Sequence, residues 1–75
     1  TVIIIHPKDA KEKGILGEVA TVIAKRGFGI RQAVSDDPYL VDDPKLTIIT
    51  DNGIPGELIE EIGRIESVKG VQVHQ

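Results

Sequence analysis

Two places in this 75-residue sequence group side chains that can do chemistry. The first is His6 with Gly14, eight positions further on. His6 ends an apolar run and could hydrogen-bond a ligand, and Gly14, lacking a Cβ, lets the backbone come close to one. A helix opening after Gly14 turns its free N–H groups into the same loop, where they could receive a carboxylate or another small anion. Each residue also has a plain structural reading: a strand end before Pro7, and a turn. The second place is the pair Asp36-Asp37-Pro38 and Asp42-Asp43-Pro44 around Tyr39-Leu40-Val41. Four carboxylates suit a hard cation such as Ca²⁺ or Mg²⁺. This spacing, however, lacks the glycine and the final Glu of an EF-hand loop, and Asp-Pro pairs start turns. The expectation is no metal site and no cofactor, with the apolar triplet packing onto a neighbour.

Catalysis finds no footing. The chain has no Cys, no Ser-His-Asp arrangement, and no glycine-rich phosphate loop after a strand. Nine Lys and Arg against twelve Asp and Glu leave a net charge of −3, which argues against a polyanionic partner such as nucleic acid. Phe28 and Tyr39 are the only aromatic residues, so a base-stacking platform is missing too. The longest apolar run, residues 2–5, is far short of the roughly 18 residues that span a membrane. A soluble, cytoplasmic domain is expected, the lack of Cys fitting a reducing compartment.

The length sets one domain over residues 1–75. A chain this short buries only roughly 60% of its unfolded surface. Without disulfide or thiolate metal site, apolar packing and self-association are its routes to stability, so a homo-oligomer is expected. The sequence starts at Thr1, directly before an apolar strand, and reads as a segment of a longer protein.

Periodicity supplies the elements that position these residues. Residues 1–6 are rich in β-branched side chains, and their continuous apolar run predicts a strand buried on both faces. Ile15, Leu16, Val19, Ala20, Val22 and Ile23 fall at helical spacing, opposite a wet face of Gly17, Glu18, Thr21 and Lys25. Gly27 should end that helix in the left-handed conformation. Residues 30–35 predict a second strand, with Ile30, Gln32 and Val34 on one face and Arg31, Ala33 and Ser35 on the other. Residues 46–50 form a third strand closed by the turn signal Asp51-Asn52-Gly53.

Pro55 is placed to open a second helix, which buries Leu58, Ile62 and Ile65 with Ile59 beside them. Gly63 within it predicts close backbone packing against the sheet or another subunit. Gly70 should stop the helical region before a final strand at Val71 and Val73. The order β-α-β-β-α-β gives an α+β, ferredoxin-like sandwich: a four-stranded antiparallel sheet with two helices on one face. Right-handed crossovers put the first and third strands in the centre. The second and fourth strands become edges, and pairing with another copy is expected through the second strand or the first helix.

The run from Gly14-Ile15-Leu16 through Val19, Ala20 and Ile23 to Gly27-Phe28-Gly29-Ile30 resembles the ACT domain. The likeness in element order extends over the whole chain. It implies a regulatory domain, not an enzyme, that binds a small molecule such as an amino acid between paired copies and controls an attached module. A transcription regulator of amino-acid metabolism is the first expectation for that module, with a metabolic enzyme or a purely structural oligomerisation domain as alternatives. By position, the resemblance nominates His6, Asp9, Gly14, Ile15 and Leu16 on one copy. Gly29, Ile30, Arg31 and Gln32 face them from the other. In serine-sensing relatives the His stands closer to the glycine, and Asn often occupies the position of Gly29. The loop here also lacks their Asn and Pro, which leaves Asp9 or Glu12 to grip an ammonium group.

Overall fold

The computed structural model describes residues 1–9 and 14–74. Its elements are β1 (Val2–Pro7), α1 (Ile15–Lys25), β2 (Ile30–Ser35), β3 (Leu46–Thr50), α2 (Gly56–Gly63) and β4 (Val68–His74). The strands pair antiparallel in the order β2-β3-β1-β4. The two most apolar strands are therefore central, and the more polar β2 and β4 are edges. This is the expected α+β, ferredoxin-like arrangement.

One face of the sheet holds the core. Ile3 and Ile5 of β1 and Leu46 and Ile48 of β3 form a single buried cluster with Val19 and Ile23 of α1 and Leu58 and Ile62 of α2. Since both helices contribute to the same cluster, both lie on that face. Each such side chain stabilises the fold by about 1.5–3 kcal/mol on burial. The end of α1 is fixed by backbone geometry: Gly27, with φ 82°, donates its N–H to Ala24 at 2.9 Å, and Phe28 donates to Ile23 at 3.3 Å. These are the two bonds of a Schellman motif. Phe28 also packs against the core cluster that holds Ile23, so one motif ends the helix and aims the chain into β2.

Several expectations need correction. β1 is fully buried on the helix face alone: Val2 and Ile4, which point away from it, are only half-buried, because an antiparallel sheet with helices on one side leaves its other side open. In β2 a register shift between Ile30 and Gln32 places Ile30 opposite Thr50 and Gln32 opposite Ile49. This bulge breaks the simple alternation, putting Ile30 against the core and on the opposite face from Gln32 and Val34.

Pro55 caps α2 from outside in an extended conformation. Gly63 is the helix's last residue, and a Cβ there would meet nothing within 4 Å, so it does not press against the sheet of its own copy. Ile65 falls beyond the helix and only flanks the core. Gly70 lies inside β4, paired with His6; the strand begins earlier because Val68, 3% exposed, is itself a core residue.

Candidate functional site

The strand register divides the nominated residues between two ends of the sheet. At one end, the loop end, β1 finishes beside the start of β3 and of β4: Ile5 pairs with Leu46, His6 with Gly70 and Pro7 with Val68. Ser35, the last residue of β2, is here too, opposite Leu46. At the other end Ile30 pairs with Thr50, and Val2 with Ile49. From Ile30 to Ser35 the chain covers roughly 17 Å. His6, Asp9, Gly14, Ile15 and Leu16 therefore belong to the loop end, whereas Gly29, Ile30, Arg31 and Gln32 start from the opposite one. A single copy does not bring the two sets together.

At the loop end, Gly14 has φ 93° and gives α1 no side-chain cap. The first N–H groups of the helix thus face this end with no side chain of the cap residue to accept from them. Next to them lies a hollow of about 350 Å³ lined by Lys8, Glu18, Glu66 and Ser67. Ser67 is buried. Its carbonyl accepts from the Lys8 N–H at 2.9 Å, and its hydroxyl donates to Glu18 Oε1 at 3.4 Å. These contacts join the end of β1, the first turn of α1 and the turn before β4. One ammonium and two carboxylates around a hydroxyl can meet both charges of a small zwitterion. Ile15 is half-buried beside this end, and Leu16 is 40% exposed.

His6 belongs elsewhere. It alternates with the buried Ile5, so its ring lies on the face away from the helices, where Nε2 is 3.2 Å from Gln72 Oε1. There it lines a second hollow, of about 380 Å³, with Pro7, Asp43, Lys69 and Gly70. His6, nominated together with Gly14, thus lines a different hollow from the one beside the start of α1. Asp9 is exposed just beyond β1. Glu12 lies outside the described residues.

At the far end Asp51, whose sequence context marks only a turn, organises the start of β2. Asp51 donates its N–H to the Gly29 carbonyl at 3.2 Å, and its carboxylate lies 4.0 Å from Arg31 Nε. A Cβ at position 29 would stand 2.5 Å from Asp51 Oδ2. Glu66 and Ser67 escape a sequence reading for a different reason: they precede a strand expected to begin three residues later.

The Asp-Asp-Pro loop is a hairpin connection held by its own hydrogen bonds. Asp37 Oδ1 accepts from Tyr39 N–H at 2.9 Å, and the Asp37 carbonyl accepts from Leu40 and Val41 at 3.0 and 3.2 Å. Tyr39 and Leu40 are 78% and 82% exposed. With four aspartates and one lysine, residues 36–45 carry the whole net charge of −3, since eight cations balance eight carboxylates elsewhere. Among the described residues no group of three or more His, Cys, Asp or Glu side chains is placed to hold a metal ion. Among the same residues, no helix is long and apolar enough to cross a membrane.

Fold and site together define a class: a ferredoxin-like α+β domain with a mixed-charge hollow at its loop end and an exposed edge strand. Sequence comparison takes the assignment no further, since no family model and no curated protein matches the chain.

Proposed function

We propose that this chain is a ligand-sensing regulatory domain of ACT type, which binds an amino acid at the loop end when two copies pair through β2. One observation supports it above the rest: the nominated residues sit at opposite ends of one sheet, while β2 is an outer strand exposed from Arg31 to Ser35. Antiparallel pairing of two β2 strands about a two-fold axis carries residues 29–32 of each copy to the loop end of the other, completing two equivalent sites. Lys8 then meets the ligand carboxylate, and Glu18 and Glu66 its ammonium. Ligand bound across the pair favours one arrangement of the two copies, and an attached module reads that arrangement. The nature of the module, a transcription regulator first, rests on the family resemblance alone.

Titration calorimetry with each common amino acid, on the native chain and on an Ala33→Glu/Ser35→Glu edge variant, tests this reading. Both substituted positions are exposed, so the variant keeps its monomer fold. Binding by the native chain that is lost in the variant supports the proposal. Absence of heat with every amino acid at millimolar concentration removes the sensing function, and a dimer persisting in that case leaves oligomerisation as the role.

A further inference from the structure

The tip of the hairpin loop between β2 and β3 shows apolar side chains to water on a backbone shaped to hold them there. Tyr39 and Leu40 are the most exposed large hydrophobic residues among those described, and Val41 beside them is exposed as well. Only two residues of the chain are aromatic, and one of them is here. A single apolar residue on a surface is ordinary, but three in succession are a fault unless they serve a contact.

The turn that carries them is already formed. Leu40 donates its N–H to the Asp37 carbonyl, which puts Pro38 at the second position of the turn, where its fixed φ suits the bend. Asp37 Oδ1 accepts from the Tyr39 N–H. A partner docking here does not have to order the loop, which lowers the cost of binding.

Charge selects the kind of partner. Lys45 is bound to Asp36 at the base of the loop, which leaves Asp37, Asp42 and Asp43 beside the apolar triplet. Lys69 and His6 share a hollow with Asp43, so with Lys69 counted one ammonium faces three carboxylates. The tip stays net negative. Such a surface repels the phosphates of nucleic acid and of anionic lipid, and attracts Lys and Arg on a protein.

A second copy of this chain does not offer them. Among the described residues all three arginines stand within 4.0 Å of a carboxylate, Arg26 with Glu61, Arg31 with Asp51 and Arg64 with Glu60. Both hollows likewise set a lysine among carboxylates, Lys8 with Glu18 and Glu66, and Lys69 with Asp43. Lys25, at the end of α1, is a single charge and makes no rim.

We propose that this tip docks into another protein, at an apolar pocket rimmed by Lys and Arg side chains. Tyr39 and Leu40 fill the pocket, and Asp37, Asp42 and Asp43 meet the rim. Tyr is among the side chains that most often anchor an interface. Three side chains bury less than the ~1,200 Å² of a stable interface, so the complex is transient and its charges act chiefly on the rate of encounter. The contact requires neither a bound amino acid nor a second copy.

A displayed library of small helical domains randomised on one face, selected on the intact chain, supplies the probe. Selected binders are titrated by fluorescence anisotropy against the native chain, a Tyr39→Ser/Leu40→Ser tip variant and an Asp42→Asn/Asp43→Asn charge variant, at low and at high salt. All four positions are exposed, and unchanged melting temperatures verify the folds of both variants. The leading binders should carry net positive charge around apolar residues, hold the tip variant at least tenfold more weakly, and lose affinity for the native chain as salt rises. The charge variant should bind more weakly at low salt and respond less to salt. A selection that enriches no binder overturns the proposal, as do leading binders that hold the tip variant as tightly as the native chain. Binders that need the tip but lack positive charge, and keep their affinity for the charge variant, overturn it equally, because the partner would then not be a basic one.

Discussion

Asp36 and Lys45 are joined three times across the base of the hairpin loop. The Asp36 N–H donates to the Lys45 carbonyl at 3.1 Å, the Lys45 N–H donates to Asp36 Oδ2 at 3.2 Å, and Lys45 Nζ lies 3.7 Å from that same oxygen. One carboxylate thus serves a backbone donor and a cation together. The clamp explains how a loop of ten residues carrying four aspartates holds a defined turn at its tip.

Asp36→Ala removes the acceptor of the Lys45 N–H and the ion pair while leaving the backbone bond. The ion pair is part-exposed and worth little, so the lost hydrogen bond dominates, at about 1 kcal/mol. For a domain of this size that corresponds to a fall of roughly 4–8 °C in Tm. Asp42→Ala should change Tm by much less. Thermal unfolding of the two variants checks the contrast, and equal shifts would contradict the clamp.

Gly29→Ala sets a Cβ where the Asp51 carboxylate lies. The carboxylate is exposed and can swing aside, so the cost is a few tenths of a kcal/mol up to about 1, in the range of ordinary substitutions. The coupling is the sharper prediction: in an Asp51→Ala background the same change should cost nothing, since its only close neighbour among the described residues is gone. A double-mutant cycle by urea unfolding measures this interaction directly.

Much of the architecture is legible in residue spacing. The limits of β2 and β3 follow from composition and from Asp51-Asn52-Gly53, and Gly27 ends α1 as its sequence context implies. What escapes depends on tertiary contact. The bulge at Arg31 is invisible to an alternation rule because it is set by pairing with β3. The early start of β4 is fixed by Val68 entering the core, so Glu66 and Ser67 read as helix or turn when they line the hollow. Chain order sets His6 beside Gly14, yet strand alternation puts its ring on the other face. The candidate site is thus legible as a neighbourhood, while its charged lining is not.

Gly27→Ala should be among the most damaging surface changes. The residue is exposed, but its φ of 82° costs an L side chain about 1–2 kcal/mol. The Schellman bonds and the packing of Phe28 against the core both depend on that conformation. Gly27→Asn should recover part of the loss, because Asn tolerates the left-handed region. Chemical unfolding of the two variants ranks them, and an Ala variant as stable as the native chain would refute the argument.

Gly17 separates folding from assembly. It lies in the first turns of α1, exposed, where a Cβ would meet nothing within 4 Å, and its φ is not positive. Alanine should therefore stabilise the isolated domain by up to about 1 kcal/mol, the ordinary helix preference of Ala over Gly. Nothing described inside one copy requires a glycine here. If a ligand or the second copy approaches the backbone at this turn, Gly17→Ala raises the melting temperature of the free domain while weakening amino-acid binding or edge pairing. Thermal unfolding without ligand, set beside calorimetry and sedimentation on the same variant, reads both effects. A variant that is more stable and assembles and binds as before would show that α1 meets neither ligand nor partner at Gly17.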